Sequence, residues 1–187
     1  MSLDPSTPPP IEPDTKDWTW VLEAPCPDCG FDAAALDVST TGAQVRTIAA
    51  RFAELLADPR AVLRPHEQQW SAVEYGCHVR DVFRLFDVRL RLMLDEDDPL
   101  FANWDQDVTA VEDGYASQDA ATVADQVATA GETIAASFEA VTPEQRARVG
   151  RRSDGARFTV ESFTRYFLHD PLHHVWDVEQ GYGQLPA

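Results

Sequence analysis

The sequence predicts an all-α protein: a four-helix bundle with one long connection between its second and third helices. Three observations carry that expectation. Apolar residues recur at spacings of three and four along four separate stretches, and no stretch alternates apolar and polar residues over a strand's length. Prolines and capping residues fall where the periodic stretches begin and end.

The first helix is expected over 43–57, where Val45, Ile48, Phe52, Leu55 and Leu56 share a stripe. Asp58-Pro59 ends it, because proline disfavours helical backbone at the residue before it. Beyond a loop to Trp70, Ser71 and Glu74 stand three apart ahead of an apolar run, the pattern in which each side chain satisfies an orphan donor of the first turn. The helix so opened runs to about residue 94, with Tyr75, Val79, Val82, Phe86, Leu90 and Met93 inward. Residues 99–118 form the long connection, with room for a helical turn, and carry Phe101, Trp104 and Tyr115. The third helix spans 119–140. Thr142-Pro143 opens a short helix, with proline where its missing N–H costs nothing. Residues 151–157 read as a polar turn, and Thr159 caps a last helix over 160–178. The chain therefore divides into a proline-rich tail (1–17, disordered or draped), a docking segment (18–42) and the bundle (43–187).

Composition narrows the function. The chain has 187 residues, a single domain's length, and 32 acidic against 15 basic side chains give a net charge of −17. Such a field repels phosphate backbones and anionic headgroups, so no nucleic-acid or membrane partner is expected. No run approaches the ~20 apolar residues of a membrane-spanning helix, and the acidic N-terminus lacks a signal-peptide pattern. The expected setting is cytoplasmic. There Cys26, Cys29 and Cys77 stay reduced and form no disulfide framework. Only one basic residue, Lys16, is a lysine, and alanine is abundant, a bias associated with GC-rich genomes.

Chemistry is concentrated in the histidines. His169 and His173 lie four apart on the last helix, so both rings project from one face and suit chelation of one ion. His78, near the start of the second helix, can aim into the bundle. Three neutral imidazoles hold a borderline divalent cation and leave a coordination position open; the simpler alternative is hydrogen-bonded core histidines. His174 lies about 140° round the helix from His169 and is expected to face elsewhere. Pro171 between them is expected to kink the helix, or Asp170 to cap a new one starting there. Asp81, one turn after His78, reads either as an acceptor orienting an imidazole or as an ion-pair partner of Arg84. Cys26-x-x-Cys29-Gly30 is one metal knuckle without a second, which reads as a half-site completed by Cys77 or His66, a redox pair or a tight turn. Trp104 and Tyr115 are candidates for a pocket mouth. Arg151, Arg152 and Arg157 read as a solvated turn more readily than as an anion site.

Trp70-Ser71-x-x-Glu74-x-x-x-His78-x-x-Asp81, followed about ninety residues later by His169-x-x-x-His173-His174, resembles the DinB/YfiT-like superfamily, as does Asp105-Gln106-Asp107 in the connection. The resemblance covers roughly residues 43–180. It implies a four-helix bundle with a long crossover and one Zn²⁺ or Ni²⁺ bound by His78, His169 and His173. It further implies a small-molecule substrate and a thiol-dependent transferase or isomerase, with mycothiol as candidate co-substrate and the metal activating the thiol. A metal-dependent hydrolase is the alternative, and a non-catalytic metal-binding, stress-associated protein the third. Homodimers are compatible with such a bundle.

Overall fold

The structure is a computed structural model that describes residues 11–13 and 16–186. The proline-rich tail expected over 1–17 lies mostly outside the described residues.

Apart from the first, each long helix begins at a side-chain cap. A single 3₁₀ turn, Val38–Thr40, leads into α1, Thr41–Leu56. The capping box at Ser71 opens α2, Ala72–Asp95: Ser71 Oγ accepts from the Glu74 N–H and the Glu74 carboxylate accepts from the Ser71 N–H at 2.9 Å. Glu74 is buried there and paired with Arg64. Asp105 caps α3, Gln106–Glu112, which occupies the long connection together with a 3₁₀ turn, Tyr115–Ser117. Asp119 caps α4, Ala120–Glu139, and Thr159 caps α5, Val160–Gln184. The helix expected at Thr142-Pro143 is a 3₁₀ turn, Pro143–Ala147.

The apolar stripes meet in one core. Both α4 and α5 lie against α1 and α2. Phe83 and Phe86 of α2, Phe138 of α4 and Phe163 and Phe167 of α5 are all buried in it. The docking segment lies on α5 through its 3₁₀ turn, Trp18–Leu22, with Val21 fully buried. Arg165 of α5 fastens it further by donating to the carbonyls of Ala33 and Leu36. Among the described residues, no helix is long and apolar enough to cross a membrane.

Two further features depart from expectation. A small antiparallel hairpin joins β1, Val149–Arg151, to β2, Arg157–Thr159, in what reads as a turn in the sequence. Strands of three residues are too short to leave an alternation signal. The last helix also runs to Gln184, through both Pro171 and Gly181, instead of ending near 178. Gly181 belongs in the helix because Pro65 packs on it: a Cβ there would come within 2.8 Å of the proline ring. Asp170 therefore starts no new helix. Residues 169, 170, 173 and 174 stand on one continuous helix, 169 and 173 on one face and 170 and 174 on the next, about 100° round.

Candidate functional site

Those two faces of α5 meet different neighbours. The 170/174 face looks onto α2 and the crossover, and the 169/173 face onto the docking segment. The three histidines expected to share one ion are accordingly divided. His78 groups with Asp170 and His174, whereas His169 and His173 group with Cys26 and Cys29; in each group the donor atoms lie within 4.8 Å of one another. Among the described residues no such group joins His78 to His169 or His173. Helical spacing reports the angle between side chains on α5 but not which element stands opposite each face. His174, expected to turn away, in fact faces α2.

The first group is built around His78, which is 1% exposed. Its ring stacks on Trp104 with centroids 5.5 Å apart, lies 5.4 Å from Trp70, and meets the His174 ring edge-on at 4.8 Å. Asp170 Oδ1 lies 3.5 Å from His78 Nε2 and 3.7 Å from His174 Nε2. Neither ring nitrogen of His78, nor Asp170 Oδ1, has a hydrogen-bond partner, although all three atoms are buried. Leaving a buried polar atom unpaired costs about 1–3 kcal/mol, so the convergence of His78 Nε2 and Asp170 Oδ1 fits a cation. His174 is oriented by Asp177, whose carboxylate lies 2.8 Å from Nδ1. With Nδ1–H donating there, the lone pair of Nε2 points toward Asp170, the usual way a carboxylate fixes a ligand tautomer. Burial would raise the Asp170 carboxyl, but the His78 ring, and next the His174 ring, outweigh it and hold the group at about 2. It is thus a carboxylate across the neutral range.

Asp170 is 32% exposed because its other side opens on a cavity of about 410 Å³. Trp18, Phe86, Arg89, Trp104 and Tyr166 also line this space. Arg89 is buried, its Nε has no partner, and one terminal nitrogen donates to the Ala102 carbonyl. Burial, and next the charge of Arg152, lowers it to about 10, so it remains a guanidinium at neutral pH. Arg152 reaches the same cavity, paired with Asp154 and donating to Tyr166 Oη at 2.8 Å. Arg151 and Arg157 pair instead with Asp98. Arg89 was not singled out from the sequence; its signal is that it follows Phe86 by three and so borders the apolar stripe.

Asp81 serves structure rather than an imidazole. Its carboxylate accepts from Arg80, from Arg84 and, at 2.6 Å, from the hydroxyl of buried Tyr115. Trp104 lines the cavity as expected, but Tyr115 ties the crossover to α2. Replacing Asp81 by alanine strands the Tyr115 hydroxyl and leaves Arg80 with only its bonds to Gln118 and Gln126. Urea unfolding is expected to show a loss of about 1–3 kcal/mol with bound metal unchanged.

The second group lies on the other face of α5. Cys26 Sγ is 3.5 Å from His173 Nδ1. Burial, and next the charge of His173, lowers His169 to about 4; burial likewise lowers His173, so both rings are neutral and their lone pairs available. The Cys29 thiol is pushed up to about 11, chiefly by burial. Cys77 stands in neither group, and burial pushes it to about 12.

No protein-family model and no curated protein matches the sequence. A solved structure does match, over 92% of this chain and 94% of its own, with a TM-score of 0.61 at 15% identity: YfiT from Bacillus subtilis. The fold is that of YfiT. YfiT is described as a probable metal-dependent hydrolase with an unusual four-helix bundle topology. At this identity the likeness establishes the YfiT-like fold, and the ligand sets rest on the residues of this chain.

Proposed function

We propose that this chain is a metal-dependent enzyme for a small anionic substrate, with one divalent cation held by His78, Asp170 and His174. The observation that carries the reading is the convergence of buried, unpaired donor atoms on His78 and Asp170, beside a cavity that Asp170 and Trp104 line. Three protein donors leave a coordination position open, as catalytic sites require, and two imidazoles with a carboxylate suit Zn²⁺ or Ni²⁺. A cation bound there would supply Lewis acidity, drawing the pKa of a coordinated water or thiol toward neutrality.

The protein's own side chains do the rest. Asp177 fixes the His174 ring, while Trp70 and Trp104 hold the His78 ring and shield it from water. Arg89, whose buried Nε has no partner, puts one local positive charge in a cavity that Asp105, Asp107, Asp154 and Asp170 also line, and that charge is the point that would take a carboxylate or phosphate on the substrate. Hydrolysis is the first reading, because the structurally similar YfiT is described as a probable metal-dependent hydrolase. Transfer or isomerisation dependent on a thiol such as mycothiol is the second, supported by polar lining residues such as Asn103 and Gln106 that suit a hydroxyl-rich co-substrate. The free thiols accord with a cytoplasmic setting.

The test is a panel of esters and amides, with and without a carboxylate, assayed on metal-loaded protein with and without added thiol. Metal-dependent turnover without thiol supports hydrolysis, and an absolute need for thiol supports transfer. Absence of metal-dependent turnover under both conditions would count against the proposal. Arg89→Met is expected to raise KM for the carboxylated substrates by roughly 10–100-fold, the loss of a charge-assisted hydrogen bond, and to leave uncharged ones nearly unchanged.

A further inference from the structure

We infer that Cys26, Cys29, His169 and His173 form a second, closed zinc centre, one that clamps the docking segment to α5 and thereby holds one wall of the cavity. Two sulfurs and two imidazole nitrogens are the donor set of a structural zinc site, complete at four, whereas the cavity group has three donors and no sulfur. The spacing fits. With Zn–S near 2.3 Å and Zn–N near 2.0–2.1 Å, a tetrahedral site has an S···N edge of about 3.6 Å. The Cys26 Sγ to His173 Nδ1 distance is 3.5 Å.

The local backbone is shaped for this. Gly30 N donates to the Cys26 carbonyl at 3.0 Å and Cys26 N to the Phe31 carbonyl at 2.8 Å, closing a tight turn round the two cysteines. Gly30 takes φ +73°, a conformation that disfavours residues with a Cβ. A second observation points to a ligand: His169 is 4% exposed, and its Nε2 is buried without a hydrogen-bond partner. Charge balances as well. Two thiols give up their protons to solvent, and the two thiolates cancel the dication, so the filled centre is neutral in its buried setting.

The centre also bears on the cavity. Trp18 packs on His169 and His173, with ring centroids 5.4 and 5.2 Å away, and lines the cavity wall. Losing the zinc leaves the Arg165 contacts as a remaining tie between the segment and α5.

The test uses the full chain isolated without chelators. X-ray absorption at the zinc edge is expected to show sulfur at about 2.3 Å. Exchange with Co²⁺ is expected to give near-ultraviolet thiolate charge transfer and the visible bands of a tetrahedral site. Cys26→Ser and Cys29→Ser should each weaken both signatures, while His78→Ala keeps them, which separates this centre from the cavity group. Zinc removal should speed amide exchange in residues 18–36 and spare the bundle helices. A wild-type spectrum without sulfur would overturn the inference, whatever the variants do. So would signatures untouched by both serine substitutions, or a Cys26–Cys29 disulfide in freshly isolated protein.

Discussion

His78→Ala is expected to abolish metal-dependent turnover and to empty the centre at the cavity, while the sulfur-bearing centre stays filled. Changing a residue that merely supports a metal ligand weakens binding about 10–100-fold, and removing one of three ligands should exceed that. Stability should change far less than activity. The lost ring leaves space between Trp70 and Trp104, which is unfavourable. Two buried nitrogens without hydrogen bonds disappear with it, which offsets part of that cost at about 1–3 kcal/mol each. Metal content, turnover and urea unfolding measured on one preparation check all three expectations. An equal loss of stability and activity would mean that His78 is a core residue only.

The largest stability effect is expected at Phe167. Its ring is fully buried and lies 6.0 Å from Phe83, 5.1 Å from Phe86 and 5.1 Å from Phe138, so it joins α5 to both α2 and α4. Truncation to alanine removes contacts to two neighbouring helices that cannot both close on the gap. The expected cost is about 3–5 kcal/mol. For a chain of this size that lowers the melting temperature by roughly 6–20 °C, readable by circular dichroism. A drop of about a degree would show that the aromatic cluster is not the centre of the core. Phe167 precedes His169 and Asp170 on α5, so the same contacts that stabilise the bundle also set the rotation of the helix bearing both donor groups.

The bundle was legible because its information is local. Ser71 with Glu74, Asp119 and Thr159 mark helix starts through their own side chains, and the stripes from Val45 to Leu56 and from Tyr75 to Met93 follow the helical period wherever their partners lie. The hairpin was not legible, since Val149–Arg151 is held by pairing with Arg157–Thr159 and by a bridge from Leu100 to Arg151, neither of which shows in a three-residue pattern. The site was half legible. His78, His169 and His173 all belong to donor clusters, but their division depends on α2 facing one side of α5 and the docking segment facing the other. Spacing along α5 carries no trace of that. Asp170 looked like a helix breaker's companion beside Pro171, yet it is the carboxylate that unites His78 with His174. The role of Asp177 was likewise hidden, because only the tertiary arrangement shows that the ring it orients belongs to the cavity group.

The central claim is that a cation sits among His78, Asp170 and His174 with its open side toward the cavity. An anomalous-difference map collected at the absorption edge of the bound metal tests it most directly. The account predicts a peak bonded to one nitrogen of each of these histidines and to Asp170, apart from any peak at the cysteines. A single ion bonded jointly by His78, His169 and His173, or no density beside His78 in metal-loaded crystals, would contradict it.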